Sequence, residues 1–594
     1  MLPSDSSVNA PGARGYPRPQ LRRSTWRSLN GLWDFAPDPD KRWTEPADVE
    51  WSTKIEVPFS PETPASGIGW QGFLPRCWYR TRVQVPDAAG GLVRLHFGAV
   101  DYRATVWADD VVVARHEGGY TPFWCDLTTR LKPGRSLTLV VCADDDPQDL
   151  AKPRGKQDWR LDPHSIWYHR TTGIWQTVWL ERVPTTRIET LRWTPDLTEW
   201  DLRLDAHVET PEVEDLRLRV TLTAGERLLA ADVYSVVAHD VFRRVAISDP
   251  GIDDSRNELA WSPESPQLLQ ARLELLDRHD ATLDQVESYT ALRSVAVSED
   301  RFLLNGRPYP MRLVLDQGYW PESGLTAPDD AALRRDVELA REMGFNGVRK
   351  HQKIEDPRYL YWADHIGLLV WEEMPSAYRF TRQSVERVTR EWIDVIKRDS
   401  SHPCIVAWVP MNESWGVPNL PDNPTQRDYV RALYHLTHTL DPTRPVIGND
   451  GWESVATDMI GIHDYESDPQ RIAARYASDE VVPKLFRRER PGGRLLVLEG
   501  HGKLDLPIVL SEFGGIACAD SEHWTWGYSR CDTPEQLRQR YTELLRAVHS
   551  LRLFTGFCYT QFADTYQEAN GLLYADRRPK FPIADIERAT SGRA

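Results

Sequence analysis

Two short apolar runs in the carboxyl-terminal half of the chain each end in a glutamate. The run IVAWVP leads to Asn412 and Glu413, and the later run PIVL leads to Ser511 and Glu512. A carboxylate at the end of a buried strand loses hydration, so the protein must supply partners for it or shift its pKa. A single glutamate in such a place could equally be a capping or salt-bridged residue. Two in matching contexts predict a functional pair.

The segments after residue 306 repeat a pattern of apolar strand, loop and amphipathic helix, which is typical of a (β/α)8 TIM barrel. The carboxyl ends of barrel strands share one face, so groups distant in sequence meet there. Eight strands are predicted, at residues 309–316, 345–350, 368–374, 405–413, 445–450, 459–465, 507–513 and 556–564.

The predicted strand ends are rich in polar and aromatic side chains. Besides the two glutamates, the candidates for substrate binding at these ends are Asp316, His351, Glu373, Asn412, His463 and Tyr465. Trp526, after the second glutamate, is a further candidate, because the apolar face and polar edge of an indole suit a sugar ring.

A pair of carboxyl groups is the machinery of glycoside hydrolysis. In the retaining reaction one carboxyl protonates the leaving oxygen and the other attacks the anomeric carbon, across a separation of roughly 5–5.5 Å. We expect the nearby charge and partial desolvation to raise the pKa of Glu413, and hydrogen bonds to hold Glu512 ionised.

The Asn-Glu after a tryptophan-containing strand and the later Ser-Glu-Phe-Gly resemble glycoside hydrolase family 2, which includes β-galactosidases, β-glucuronidases and β-mannosidases. The resemblance runs from about Gly31 to Phe581. It implies that Glu413 is the acid/base and Glu512 the nucleophile. It also implies that Asn412 binds the sugar 2-hydroxyl and that Tyr465 bonds the nucleophile.

Two positions depart from the family pattern. Arg349-Lys350-His351 is one residue shorter than the usual Arg-x-Ser-His. Glu373 resembles a magnesium-binding position of some β-galactosidases, but the second ligand of their Glu-x-His pattern would fall at Pro375. We therefore predict no essential metal, and the proposed reaction needs no cofactor.

The chain before the barrel shows the alternating apolar pattern of half-buried strands. Residues 1–184 predict a β-sandwich, which the resemblance implies is a jelly roll of the sugar-binding type. The pattern at residues 185–294 predicts an immunoglobulin-like sandwich that acts as a spacer. Residues 295–594 are predicted to form the barrel.

A long loop at 152–173 interrupts the first sandwich and is dense in charges and aromatic rings. Long loops in compact domains are often functional. In similar enzymes this loop crosses to the barrel mouth, which makes Trp167, His169 and Arg170 candidates for substrate contact. A surface loop with a few packed aromatic residues is the alternative.

The composition limits the partners of the chain. A net charge of −16 gives no general attraction to nucleic acid. The first twenty residues contain no apolar run of the signal-peptide kind, and no later run reaches the roughly 20 residues needed to cross a bilayer. We expect a cytoplasmic protein with a carbohydrate substrate and no membrane partner, and leave open whether it forms a homo-oligomer.

The sequence of the last barrel loop indicates which sugar the enzyme prefers. Family members that cleave glucuronides carry an Asn-x-Lys motif there, whereas Asn570 is followed here by Gly571 and Leu572. We expect a retaining exo-β-glycosidase that prefers neutral β-galactosides, although Arg577, Arg578, Lys350 or Arg170 could replace the missing lysine. The alternatives are a β-glucuronidase, a β-mannosidase or α-L-arabinosidase specificity, an endo-acting glycanase, and a carbohydrate-binding protein without catalysis.

Overall fold

The amino-terminal part of the protein is a β-sandwich. The structure is a computed structural model that describes residues 14–84, 90–131, 135–211, 215–247, 257–478, 493–498, 506–518 and 525–593. Residues 1–13 lie outside the described residues. They include most of the start of the chain, where the sequence shows no apolar run of the signal-peptide kind. The strands of this sandwich are β1 (Trp26–Ser28), β2 (Gly31–Pro37), β3 (Thr53–Val57), β4 (Arg76–Gln84), β5 (Gly91–Phe97), β6 (Val100–Asp101), β7 (Arg103–Ala108), β8 (Val111–Glu117), β9 (Phe123–Asp126), β10 (Ser136–Asp144), β11 (Gly173–Ile174) and β12 (Val178–Pro184).

Two antiparallel sheets enclose the core of this sandwich. One sheet has the order β1-β12-β5-β9 and the other the order β3-β2-β4-β10-β7-β8. Trp33, Phe35, Leu95 and Val141 are among the buried residues between them. The short strands β6 and β11 form a separate two-stranded sheet, and β11 begins where the loop at 152–173 ends.

A second sandwich follows. Its strands are β13 (Arg187–Asp196), β14 (Asp201–Glu209), β15 (Arg217–Ala224), β16 (Arg227–Ser235), β17 (Asp240–Ala246), β18 (Leu269–Leu276) and β19 (Thr282–Thr290). They form the sheets β13-β14-β17 and β16-β15-β18-β19. Leu218, Val220 and Leu222 are buried along β15 while their neighbours are partly exposed, because alternate side chains of a strand face opposite sides of a sheet.

The carboxyl-terminal half forms a curled, all-parallel sheet with the order β26-β25-β24-β23-β31-β28-β27. Its strands are β23 (Met311–Asp316), β24 (Gly347–Lys350), β25 (Leu369–Glu373), β26 (Ile405–Val409), β27 (Ile460–Asp464), β28 (Ile508–Gly514) and β31 (Phe554–Thr560). The shorter strands are β20 (Val295–Ser298), β21 (Arg301–Leu304) and β22 (Arg307–Pro308) before it, and β29 (Ile516–Ala517) and β30 (Ser529–Arg530) beside it. The predicted order of two sandwiches followed by a barrel is confirmed, while the boundaries after 184 and 294 stay predictions.

The prediction of a strand at 445–450 is wrong, although this segment lies beside β26, where the predicted strand was expected. It pairs with the chain of β26, since Ile447 N donates to Trp408 O at 2.9 Å and Asp450 N donates to Met411 O at 2.9 Å. On its other side the Asp458 carboxylate accepts Val446 N at 2.7 Å. The Asp458 side chain thus occupies the Val446 N–H, which a neighbouring strand would need for pairing. The eighth position of the barrel is therefore filled by an irregular segment and not by a strand.

Helices cover the outside of the barrel. Within the described residues they are α1 (Asp330–Glu342), α2 (Pro357–Ile366), α3 (Arg382–Asp399), α4 (Pro424–Leu440), α5 (Pro469–Arg475), α6 (Pro534–His549) and α7 (Ile583–Ser591). In α3 the buried Val388, Trp392 and Val395 recur at helical spacing and face the barrel wall. None of the described helices combines the length and apolar character that a membrane span requires.

Candidate active site

Arg349, at the end of β24, joins four polar side chains at the mouth of the barrel. The guanidinium is fully buried and its Nε donates to Glu373 Oε2 at 2.7 Å. Nη1 donates to Glu512 Oε1 at 2.9 Å and lies 2.7 Å from Asp450 Oδ2. Nη2 donates to Asn412 Oδ1 at 2.6 Å. A planar guanidinium presents its donors in fixed directions, so Arg349 sets the positions of the groups around it.

Glu512 lies within β28 and is held from two sides. Oε1 accepts from Arg349, and Oε2 accepts from the hydroxyl of Tyr465 just after β27. Only about 5% of the Glu512 side chain is exposed. Two donors on a buried carboxylate fix its orientation.

Glu413 lies just beyond β26 in an unusual backbone conformation. Glu413 and Ser414 have φ angles of 53° and 58°, in the left-handed region that residues with a side chain seldom adopt. Asp450 O accepts Glu413 N at 3.0 Å and helps to hold this turn. The side chain is 11% exposed, and Trp415 Nε1 lies 3.3 Å from its Oε2.

The two glutamates approach each other closely. One carboxylate oxygen of Glu413, one of Glu512 and a ring nitrogen of His463 all lie within 4.8 Å of one another. His463, at the end of β27, is in direct contact with both acids, with Nδ1 2.7 Å from Glu413 Oε1 and Nε2 3.5 Å from Glu512 Oε1.

The electrostatics of His463 follow from its acidic neighbours. Burial of the imidazole alone would lower its pKa. The negative charges of Glu512 and Asp450, with hydrogen bonds from the ring to Asp450 and Glu413, raise the pKa of His463 to about 10. His463 is therefore an imidazolium at neutral pH and donates from both nitrogens.

The expectation of a raised pKa for Glu413 is wrong for the free protein. Burial acts in the expected direction, but the hydrogen bond and positive charge of His463 outweigh it and bring the pKa of Glu413 below its usual value. Glu512 is the neighbour of Glu413 that the sequence predicts, whereas the cation of His463 between the two acids is evident only from the structure. The proton of this pair thus lies on His463.

Asn412 offers an unused donor to the site. Its Oδ1 is bound to Arg349, whereas its buried Nδ2 has no hydrogen-bond partner among the described residues. An unsatisfied buried amide costs free energy unless a ligand accepts from it.

His351 and Glu373 form the side of the site next to Arg349. His351 Nδ1 lies 3.1 Å from Glu373 Oε1, and burial brings the pKa of His351 well below its ordinary value. Glu373 is fully buried and ion-paired with Arg349. The carboxylate that resembles a metal ligand is thus occupied by a guanidinium.

Two groups of described residues have donor atoms near enough to hold a metal: Glu413 with His463 and Glu512, and Asp364 with His402 and Cys404. In the first group His463 Nδ1 lies 2.7 Å from Glu413 Oε1, and its Nε2 lies 3.0 Å from Asp450 Oδ2. In the second, Asp364 Oδ2 lies 2.6 Å from His402 Nδ1 and its Oδ1 accepts Cys404 N at 2.9 Å. Both groups are therefore satisfied as internal hydrogen-bond networks.

Tyr465 and Trp526 belong to a row of three aromatic rings in contact. The ring of Tyr465 lies parallel to that of Tyr528 at a centroid distance of 3.2 Å, and Trp526 meets Tyr528 edge-on at 4.7 Å. Trp526 is thus one ring removed from the tyrosine that bonds Glu512.

The loop at 152–173 reaches the barrel. Trp167 Nε1 donates to Tyr378 OH at 2.8 Å, and its ring meets Trp415 edge-on at 5.5 Å. His169 lies against Tyr566, with ring centroids 4.8 Å apart. Trp167 therefore forms a wall beside Glu413, one ring away.

Two candidates lie outside the network that joins the glutamates. Arg170 donates to Arg160 O at 2.6 Å and Gly72 O at 3.2 Å, and stacks on Phe73. Asp316 pairs with Lys350 at 2.8 Å. Their predicted substrate contacts stay predictions without a described link to either acid.

Comparisons with known proteins agree with this architecture. The family models for "Glycosyl hydrolases family 2" and its TIM barrel domain match residues 186–293 and 295–590. A β-galactosidase of Thermoanaerobacter pseudethanolicus is 26% identical over 62% of this chain and 48% of its own length. A β-glucuronidase of Paenibacillus borealis is 25% identical over 90% of this chain and 89% of its own. This chain spans about half the length of the first of these relatives.

Solved structures share the whole fold. The crystal structure of a family 2 β-galacturonidase from Eisenbergiella tayi superposes with a TM-score of 0.73 at 21% identity, covering 98% of each chain. The family models alone match most of the chain, from the second sandwich to the last helix. The chain belongs to glycoside hydrolase family 2.

Proposed function

We propose that this protein is a retaining exo-β-glycosidase in which Glu512 is the nucleophile and Glu413 the acid/base. The observation that carries the proposal is the approach of their carboxylate oxygens to within 4.8 Å at the carboxyl ends of the barrel strands. This is near the roughly 5–5.5 Å of retaining enzymes and shorter than the roughly 6.5–9.5 Å that inverting enzymes need to fit a water.

In the first half-reaction Glu512 attacks the anomeric carbon. Arg349 and Tyr465 hold its two oxygens, so the carboxylate is oriented before the substrate binds. Asn412 Nδ2 is free to donate to the sugar 2-hydroxyl, a contact that strengthens as the oxocarbenium-like transition state forms. The new bond joins C1 to a Glu512 oxygen while the bond from C1 to the leaving oxygen breaks.

The leaving oxygen receives its proton from the pair formed by Glu413 and His463. In the free protein that proton lies on His463 Nδ1, 2.7 Å from Glu413 Oε1. Its transfer to Glu413 would make the general acid as the leaving group departs. Esterification of Glu512 removes one of the two negative charges that stabilise the imidazolium, which favours this transfer.

In the second half-reaction Glu413 acts as a base. It takes a proton from a water that attacks C1, and the Glu512 carboxylate leaves. The configuration at C1 is inverted twice and so retained.

The preferred sugar in this proposal is a neutral hexoside, most readily a β-galactoside. The four cations that might replace the missing Asn-x-Lys lysine are engaged elsewhere, and Arg578 among them pairs with Asp576 at 2.6 Å. Arg577 pairs with Asp336 at 2.9 Å, and Lys350 pairs with Asp316 and Glu355. Lys580 pairs with Asp564 at 2.7 Å and donates to Ala569 O. Arg170 is bound to backbone carbonyls.

A β-glucuronide is the second candidate substrate. It is favoured by the relatives named β-glucuronidase and by the solved β-galacturonidase fold. A carboxylate on the sugar would need a cation that the paired Arg577, Lys350 and Lys580 do not supply.

A panel of aryl β-glycosides tests the proposal. We expect turnover of the galactoside among the galactoside, glucuronide, mannoside, glucoside and arabinoside. Absence of turnover on all five would favour a carbohydrate-binding protein without catalysis. Release of monosaccharides from an oligosaccharide supports exo action, whereas release of longer fragments would favour an endo-acting glycanase.

A further inference from the structure

The outer face of one sheet of the first sandwich meets the barrel across a cavity of about 450 Å³. On this face His96 of β5 is the cross-strand partner of Trp124 in β9 and of Trp179 in β12. The alternate residues Leu95 and Phe97 point into the core of the sandwich. Three aromatic side chains therefore stand in one row on the side of the sheet that faces the barrel, and all three line the cavity.

The contacts around the cavity hold the two sandwiches against the barrel helix α3. On one side Tyr120 N of the first sandwich donates to Glu391 Oε2 at 3.3 Å. On the other side Trp193 N of the second sandwich donates to Ser401 Oγ, just beyond α3, at 3.0 Å. Between these contacts the last turns of α3 line the cavity. The cavity thus lies at an interface of three domains, where small-molecule sites are frequently found.

Trp124 offers an open aromatic surface to this cavity. Its side chain is 46% exposed, whereas Trp179 is almost fully buried and stacks on His96 with ring centroids 4.7 Å apart. The guanidinium of Arg94 covers one face of the Trp124 ring, with Cζ 3.7 Å from the ring centroid. The opposite face is therefore the one left for a ligand. Such a face suits the apolar C–H face of a sugar ring.

Asp394 and Lys397, one turn apart on α3, supply a free acceptor and a free donor. Both side chains line the cavity, and neither has a hydrogen bond or an ion pair with another described residue. Other charged groups of the wall are already paired, such as Arg398 with Asp399 at 2.6 Å and Glu189 with two arginines.

These groups suit a neutral ligand with many hydroxyl groups. A hydroxyl can donate to the Asp394 carboxylate and accept from the Lys397 ammonium, whereas an anion is repelled by the first and a cation by the second. Gln176 Nε2 and Trp179 Nε1 are further donors, which are buried in side chains of the wall and have no acceptor among the described residues. The volume of about 450 Å³ lies within the roughly 300–1,000 Å³ of small-molecule sites.

We infer that this cavity is a second carbohydrate site, which binds a short neutral glycan between Trp124 and the unpaired Asp394 and Lys397. One sugar ring stacks on the indole, and its hydroxyl groups bond to the carboxylate and the ammonium. None of the described residues that line the cavity belongs to the network around Glu413 and Glu512. The site therefore holds a glycan without cleaving it, and the inference does not depend on the proposed reaction.

The test is a calorimetric titration of the full chain with two neutral trisaccharides, β-1,4-galactotriose and cellotriose, in a Glu512→Ala background that prevents hydrolysis. Trp124→Ala should remove one binding site or raise its Kd about tenfold or more, because the stacking surface is lost. Lys397→Met removes a charged donor and should raise the same Kd about tenfold. The control is Leu32→Ala, which changes an exposed apolar residue in the other sheet of the same sandwich and should leave binding unchanged.

A charged ligand tests the choice of a neutral glycan. Trigalacturonate should bind this site about threefold or more weakly than galactotriose, because Lys397 can pair with one of its carboxylates while Asp394 repels the others. In Asp394→Asn the repulsion is absent, and trigalacturonate should bind at least as tightly as galactotriose. If Trp124→Ala lowers the Tm, Lys397→Met decides the same question, because this exposed and unpaired side chain should leave the Tm unchanged.

Several results would overturn the inference. These are equal binding of both trisaccharides by Trp124→Ala, Lys397→Met and the parent, no binding of either trisaccharide at about 10 mM, and tighter binding of trigalacturonate than of galactotriose by the parent. A wild type that cleaves no aryl glycoside would overturn the proposed function and leave this inference in place, since the titration needs no turnover.

Discussion

His463 Nδ1 lies 2.7 Å from Glu413 Oε1, so the candidate acid/base shares a proton with a buried imidazolium. The ring's other nitrogen lies 3.0 Å from Asp450 Oδ2. This arrangement keeps the proton of the pair on His463 and the pKa of Glu413 low. The histidine, which the sequence marked only as a substrate contact, becomes a positioning residue for the acid.

The pH profile of kcat/KM should depend on His463. In the wild type the pair loses its proton only as pH approaches the His463 pKa of about 10, so activity should persist well above neutral pH. In His463→Gln the proton must be held by Glu413 alone, and the alkaline limb should move down by about two units or more. His207→Gln, which changes a histidine paired with Asp240 in the second sandwich, is the control. An alkaline limb that stays in place in His463→Gln would contradict the shared proton.

The same histidine should contribute to stability in a pH-dependent way. Its pKa is about 10 in the folded protein and about 6.5 in an unfolded chain. The folded state thus binds the proton more tightly, and this stabilisation is fully present below about pH 6.5 and is lost as pH rises toward about 10. The Tm difference between the wild type and His463→Gln should shrink over that range. A constant difference would show that the folded pKa is not raised.

Glu413→Ala should separate the two half-reactions. Substrates with good leaving groups need little protonation, so they should still form the glycosyl-enzyme, whereas its breakdown slows without a base by about 10²- to 10⁴-fold. Azide needs no base, and its addition should restore turnover and give a β-glycosyl azide. Lack of rescue, or an α-azide as product, would contradict the role of Glu413.

The preference between neutral and acidic sugars can be measured directly. Because Lys580, Arg577 and Lys350 are paired, we expect kcat/KM for aryl β-galactoside to exceed that for aryl β-glucuronide. A glucuronide advantage of about tenfold, worth roughly 1.4 kcal/mol of transition-state binding, would reverse the assignment of the sugar.

The sequence predicted the features that depend on local pattern. Seven of the predicted barrel strands are found because buried parallel strands read as continuous apolar runs, as in β26. The eighth, at 445–450, contains similar residues but loses a ladder donor to the Asp458 side chain. Nothing in the local sequence indicates that contact.

The site was predictable in its membership but not in its electrostatics. Strand ends indicate which residues can meet, and Asn412, Glu413, His463, Tyr465 and Glu512 do meet. The sign of the Glu413 pKa shift depends on which charged neighbour is nearest. The sequence does not reveal that distance.

The central claim is that Glu512 forms a covalent bond with the sugar. An aryl 2-deoxy-2-fluoro-β-galactoside slows both steps, and its good leaving group lets the intermediate accumulate. Incubation followed by proteolysis and mass spectrometry of the peptides should find one fluorosugar on Glu512, and none in Glu512→Ala. A label on any other residue, or hydrolysis of the probe with inversion and no label, would contradict the account.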